Sequence, residues 1–172
     1  MEEQFNPYEM TKNFHRVFEP QPPKKPVPFS PEQAAFRAGF KVEEIVEFMY
    51  GAVQGDLDLF DDMVAQLHEN IEQAKTKVLD KQEPVEDQLT AEVDALTDLL
   101  YFTYGSFALI GVNPQPIFEI VHRANMGKLF PDGKPHYHPV THKVLKPDNW
   151  EQEYAPERLI QAELAKQKRQ DS

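Results

Sequence analysis

Apolar positions along the chain come in blocks separated by prolines and glycines, and most blocks repeat at three- and four-residue spacing. Leu57, Phe60, Val64, Leu67, Ile71, Ala74 and Val78 form one such stripe, so Leu57 to Lys81 reads as an amphipathic helix whose other faces are charged. Glu83-Pro84 breaks it. A longer, more uniformly apolar helix follows over about residues 85–110, closed by Gly111 and Asn113-Pro114. Upstream, Ser30-Pro31-Glu32 supplies a cap, a first-turn proline and a first-turn acid, starting a helix that runs to about Val53. Pro7 to Val17 reads as a short helix, Gln115 to Met126 as another, and Ala155 to Gln170 as a polar closing helix. Turn signals at Pro131-Asp132-Gly133 and Pro139 interrupt short β-prone pieces, predicting an irregular or hairpin segment near residues 131–147. The pattern is that of an all-α protein, a bundle of about five to six helices.

Proline usage divides the chain further. Six of its 15 prolines lie between Glu19 and Pro31, in a stretch that favours extended backbone and predicts an arm over the surface or over a partner subunit. The expected organisation is a helix and Pro-rich arm over 1–30, a principal helical domain over 31–150 and a C-terminal helix or tail over 151–172.

Composition limits the possible partners. With 172 residues, 40% of them hydrophobic, the chain can bury one good core. Its formal charge of −11 opposes general binding to nucleic acid or acidic membrane, both of which are polyanions. There is no cysteine, hence no disulfide and no thiolate ligand or nucleophile. The opening MEEQFNPYEM lacks the basic and apolar regions of a signal peptide, and Asn113-Pro114-Gln115-Pro116 interrupts the least charged stretch, Leu99 to Phe118. A soluble, cytoplasmic protein is expected.

Candidate chemistry concentrates in two helices. At about 100° per residue, Glu43, Glu44 and Glu47 share one face with Phe36 and Phe40, opposite Val42, Ile45, Val46, Met49 and Val53. In the apolar helix, Asp94 and Asp98 lie on one line with Tyr101 and Gly105, and a helix this apolar is expected to be buried together with its aspartates. Close carboxylates repel or take up protons unless a cation lies between them. Oxygen-only donors suit a hard ion, magnesium, with manganese as substitute. The plainer alternative leaves these acids exposed and paired with lysines. Downstream, Arg123, Lys128, Lys134, Lys143 and Lys146 face a single acid, Asp132, in a stretch holding four of the six histidines. Such a stretch suits a polyphosphate, though it could also be a surface loop offsetting an acidic body. His136, His138 and His142 could alternatively bind zinc, without help from cysteine.

These residues resemble the all-α nucleoside triphosphate pyrophosphohydrolases, the MazG-like superfamily. The first motif, Glu-Glu-x-x-Glu, is similar to Glu43-Glu44-Ile45-Val46-Glu47, and the second, Glu-x-x-Asp before an apolar helix, resembles Asp94 to Gly105 with Asp98 as the final acid. Val121 to Leu129, DGKP and KVLKPDNW are similar to the phosphate side of the phosphoribosyl-ATP pyrophosphohydrolase-like branch. The resemblance implies Mg-dependent cleavage of an NTP or dNTP to the monophosphate and pyrophosphate. It implies Glu44, Glu47 and Asp98 as metal ligands, with Glu43 as ligand or water-orienting base and Glu47 also catalytic. Arg123, Asn125, Lys128 and Lys146 would hold phosphates. It further implies a homodimer or homotetramer, as apolar helical hairpins do by themselves. The chain departs from the pattern at Ala95, where the second motif has its glutamate, so that Asp94 would substitute from one residue earlier. The Glu47 to Asp94 spacing is also long for the family. Rival readings are a phosphoribosyl-ATP or dUTP pyrophosphohydrolase, a di-iron bundle for which Glu119 and His122 give one Glu-x-x-His, and a catalytically silent nucleotide-sensing module.

Overall fold

A computed structural model describes residues 5–19 and 22–170. Met1–Gln4 of the N-terminal segment, Pro20 and Gln21 of the Pro-rich arm, and Asp171 and Ser172 of the tail lie outside the described residues. The described chain is helical, with no strand: α1 Pro7–Phe18, α2 Pro31–Ala52, α3 Leu57–Lys81, α4 Gln88–Leu109, α5 Pro114–Met126, α6 Trp150–Glu153 and α7 Glu157–Gln170. It divides into two compact units, one comprising Met1–Lys25 with Leu96–Ser172, the other Pro26–Ala95.

The second unit is a helical hairpin. Ser30 closes a capping box with Gln33, satisfying two otherwise orphaned amides at the start of α2. The preceding residue is fixed from α4: the Phe29 N–H donates to Glu92 (3.0 Å), and the Gln88 amide donates to the Phe29 carbonyl (2.9 Å). The α2–α3 turn needs two successive left-handed residues, Gln54 (φ 53°) and Gly55 (φ 81°). Asp56 then caps α3 by accepting from the Asp58 and Leu59 amides. Tyr50 meets Phe60 edge-to-face at 5.1 Å, and Met49 is buried.

The first unit is built on α5. Asn6 caps α1, whose Phe14 and Phe18 rings stack at 4.4 Å, and α1 packs on α5. Phe18 is fully buried, and the Tyr137 hydroxyl donates to its carbonyl. Helix α7 packs on α5 from the chain's other end. There Gln167 behaves like a strand partner, accepting from the Asn113 amide (2.9 Å) and donating to the Asn113 carbonyl (3.0 Å).

Two expectations are corrected. The apolar helix starts at Gln88 rather than 85, because Asp87 accepts from the Thr90 amide at 2.7 Å and so caps it. No residue of α4 is buried, and Asp94 and Asp98 are exposed. Apolar content fixes the need for cover and not its source. The segment 131–147 is irregular, one of the two forms expected for it, and pairs through one isolated antiparallel bridge, Tyr137 with Val144. Pro139 and the left-handed His142 (φ 54°) limit its extension.

Candidate active site

Helix α2 presents Glu43, Glu44 and Glu47 to solvent. Of their basic neighbours on the same helix, Lys41 donates to the Arg37 carbonyl (3.2 Å), and the Arg37 guanidinium lies 5.5 Å from the centre of the Phe40 ring. Burial, and then the adjacent Arg37 charge, push the Lys41 ammonium below its usual range. Glu44 and Glu47 form no ion pair among the described residues. The acids are therefore exposed, as the plainer alternative holds, but Glu44 and Glu47 are not neutralised by lysines. Phe36 and Phe40 pack edge-to-face at 4.9 Å one to two turns earlier.

Asp94 and Asp98 lie one turn apart on α4. Chemically the α2 and α4 carboxylates fit a hard divalent cation, since all are oxygen donors of a cysteine-free chain. Among the described residues, no group of three or more His, Asp or Glu side chains is arranged to hold a metal ion.

The basic candidates converge at the α5–α6 joint. Lys128 donates to Asn125 Oδ1 at 2.7 Å, just past the end of α5. Lys146 Nζ lies 3.7 Å from the Trp150 ring centre and 3.4 Å from Glu151. Arg123 lies over the Tyr154 ring at 5.9 Å. The aromatic rings are the scaffold: buried Trp150 donates from Nε1 to the Ala124 carbonyl (2.8 Å), and the Tyr154 ring covers buried Gly127 so closely that a Cβ there would overlap it. Sequence reasoning placed Gly127 and Trp150 in segments similar to the family's phosphate side without giving either a role, and missed Tyr154. The chain's single tryptophan, following Asp148-Asn149, was the available signal.

The histidine-rich segment beyond α5 is occupied with its own folding. Asp132 accepts from His136 Nε2 and from the Lys134 amide, both at 2.9 Å, and these bonds, the His136 one foremost, hold its carboxyl below the usual range. Phe130 stacks flat on His136 at 4.0 Å, and His138 Nδ1 accepts from the Val140 and Thr141 amides. Burial lowers the His122 pKa.

A solved structure from Exiguobacterium sp. 255-15, assigned provisionally as an NTP pyrophosphohydrolase, is 36% identical to this chain, with 99% of this chain and 100% of that one covered and a TM-score of 0.87. No curated protein matches. The helical architecture and the acidic first motif define the class: an all-α, MazG-like pyrophosphohydrolase, a hydrolase acting on phosphoric anhydrides. Within that class, the sequence profile of phosphoribosyl-ATP pyrophosphohydrolase matches residues 11–125. The chain belongs to that family. Among the described residues no single helix is long and apolar enough to cross a membrane.

Proposed function

We propose that this protein hydrolyses the α–β phosphoanhydride of a nucleoside triphosphate, releasing the nucleoside monophosphate and pyrophosphate with magnesium or manganese as cofactor. The observation that carries this reading is the exposed, un-neutralised Glu44 and Glu47 beside Glu43 on one α2 face, in a chain of a pyrophosphohydrolase family. Glu44 and Glu47 of α2 and Asp94 and Asp98 of α4 are the residues to hold the ion, which when bound offsets phosphate charge. Glu43 and Glu47 orient a water for in-line attack on the α-phosphorus. A water O–P bond forms as the water gives a proton to the Glu43 carboxylate, the bond from Pα to the bridging oxygen breaks, and pyrophosphate leaves with that oxygen. Arg123, Asn125, Lys128 and Lys146 bind phosphate oxygens, and positioning and charge neutralisation supply most of the acceleration. Because Trp150 and Tyr154 fix Lys146 and Arg123, these cations meet phosphate with little further loss of side-chain freedom.

A second substrate, phosphoribosyl-ATP, is favoured by the family profile and contains the same scissile linkage. A panel of ribo- and deoxynucleoside triphosphates, dUTP included, alongside phosphoribosyl-ATP and with magnesium, distinguishes them by pyrophosphate release. Orthophosphate as first product refutes the proposed bond cleavage. Nucleotide binding without any release identifies a sensor instead. Glu47→Gln is expected to abolish turnover while circular dichroism and melting stay unchanged; full activity in that variant removes the case for the α2 acids.

A further inference from the structure

Between Lys128 and Lys146, two of the cations proposed to hold phosphate, the chain folds back on itself and leaves one aromatic ring half open. Phe130 lies flat against His136, with ring centres 4.0 Å apart and planes 5° from parallel. Asp132 accepts from His136 Nε2 at 2.9 Å, so a carboxylate holds one edge of the imidazole. The His136 side chain nevertheless stays 45% exposed, which is what a ring keeps when only one of its two faces is covered. That open face is fixed in direction. The Leu145 amide donates to the His136 carbonyl (2.8 Å), the Phe130 amide to the Lys134 carbonyl (3.1 Å), and the adjoining Tyr137 donates from its hydroxyl to the Phe18 carbonyl. Because Lys146 follows Leu145, the same bond starts a phosphate-side cation one residue from the platform.

We infer that the open face of His136 is a nucleobase-stacking subsite, purines preferred, for the nucleotide whose phosphates meet Lys146. The inference rests on the proposed nucleotide substrate and adds how its base is held. A nucleotide carries a planar π-face one sugar away from its phosphates. The loop offers the complement of each part: a supported planar ring, and a cation held over Trp150. Because Phe130 and Asp132 already immobilise the imidazole, stacking costs little further side-chain freedom. Every base has a π-face, so a stacked base is held without being read, and the larger purine overlaps best. The subsite therefore predicts a broad base range graded by ring size. A bare anion fits this face less well, since it has no use for a ring and the Asp132 carboxylate repels it.

Calorimetric titration of the full chain with magnesium compares two probes: α,β-methylene-ATP, whose α–β linkage resists hydrolysis, and inorganic pyrophosphate, which has no base. His136→Ala is expected to weaken the ATP analogue about tenfold, the scale of one lost base–aromatic stack, and to leave pyrophosphate unchanged. His136→Phe, which keeps a ring on Phe130, should recover most of that loss. Unchanged analogue binding in His136→Ala, or an equal loss for both probes, overturns the inference. Should either variant disturb the loop, the wild type decides. Its His136 ring-proton resonances should move upfield with the analogue and not with pyrophosphate, and identical responses to the two probes refute stacking. A wild type that shows this pattern but releases no pyrophosphate from ATP refutes the hydrolysis reading and supports the subsite. One that cleaves ATP while His136→Ala binds the analogue as tightly as wild type refutes the subsite alone, and a wild type that binds neither probe overturns both.

Discussion

Adding one methyl group at Gly127 isolates the packing of the ring that lies beneath Arg123. Gly127 is buried with φ −65° and ψ −7°, values that alanine adopts freely, so the backbone resists nothing. The obstacle is the Tyr154 ring, which the new Cβ would overlap. Moving a packed ring to admit a methyl costs about 1–3 kcal/mol. Displacing it from the Arg123 guanidinium costs about 0.5–1 kcal/mol more. Gly127→Ala is therefore expected to lose about 2 kcal/mol, or roughly 4–8 °C in melting temperature for a domain of this size. With Tyr154→Ala already present the clash is gone, and the same change should be neutral or stabilising by about 0.5 kcal/mol through a stiffer unfolded chain. The coupling of about 2 kcal/mol is measurable by urea unfolding of the four cycle members at one fixed protomer concentration. Equal losses from Gly127→Ala in both backgrounds would refute the steric argument.

Further predictions concern separate contacts. Trp150→Phe keeps the ring but strands the buried Ala124 carbonyl; a loss of about 1–3 kcal/mol in urea unfolding is expected, with weaker substrate affinity through Lys146. Gln167→Ala removes both bonds to Asn113 and should cost about 1–2 kcal/mol, with hydrogen exchange rising first in α7. Because burial lowers the His122 pKa, the unfolded chain binds the proton more readily. Stability should therefore be complete above the ordinary histidine range and fall as pH drops through the folded value, and His122→Gln should flatten that part of the stability–pH curve.

How much of this was legible beforehand depended on how local the cause was. Ser30-Pro31-Glu32 located the start of α2, and the three- and four-residue stripe gave Leu57 and Lys81 as the ends of α3, because caps and periodicity act within a few residues. The Asp87 cap was equally local but lay beside a plausible earlier start after Pro84. Helix α6 has only four residues after a Pro-Asp-Asn turn, too few for a periodic signal. The α2 acids could be assigned to one face from spacing alone. The rings that hold Arg123 and Lys146 could not be tied to α5, since Trp150 bonds to Ala124 across 26 residues and only tertiary packing joins them.

The tie from Tyr137 to Phe18 also bears on the order in which the protein can be made. Pro26–Ala95 is one uninterrupted stretch whose hairpin can close soon after it leaves the ribosome, whereas α1, although synthesised first, must wait for partners more than a hundred residues later. A nascent chain stalled before α5 would thus display a finished hairpin behind an unpacked leading helix, and it is there that a chaperone would find Phe14 and Phe18 uncovered.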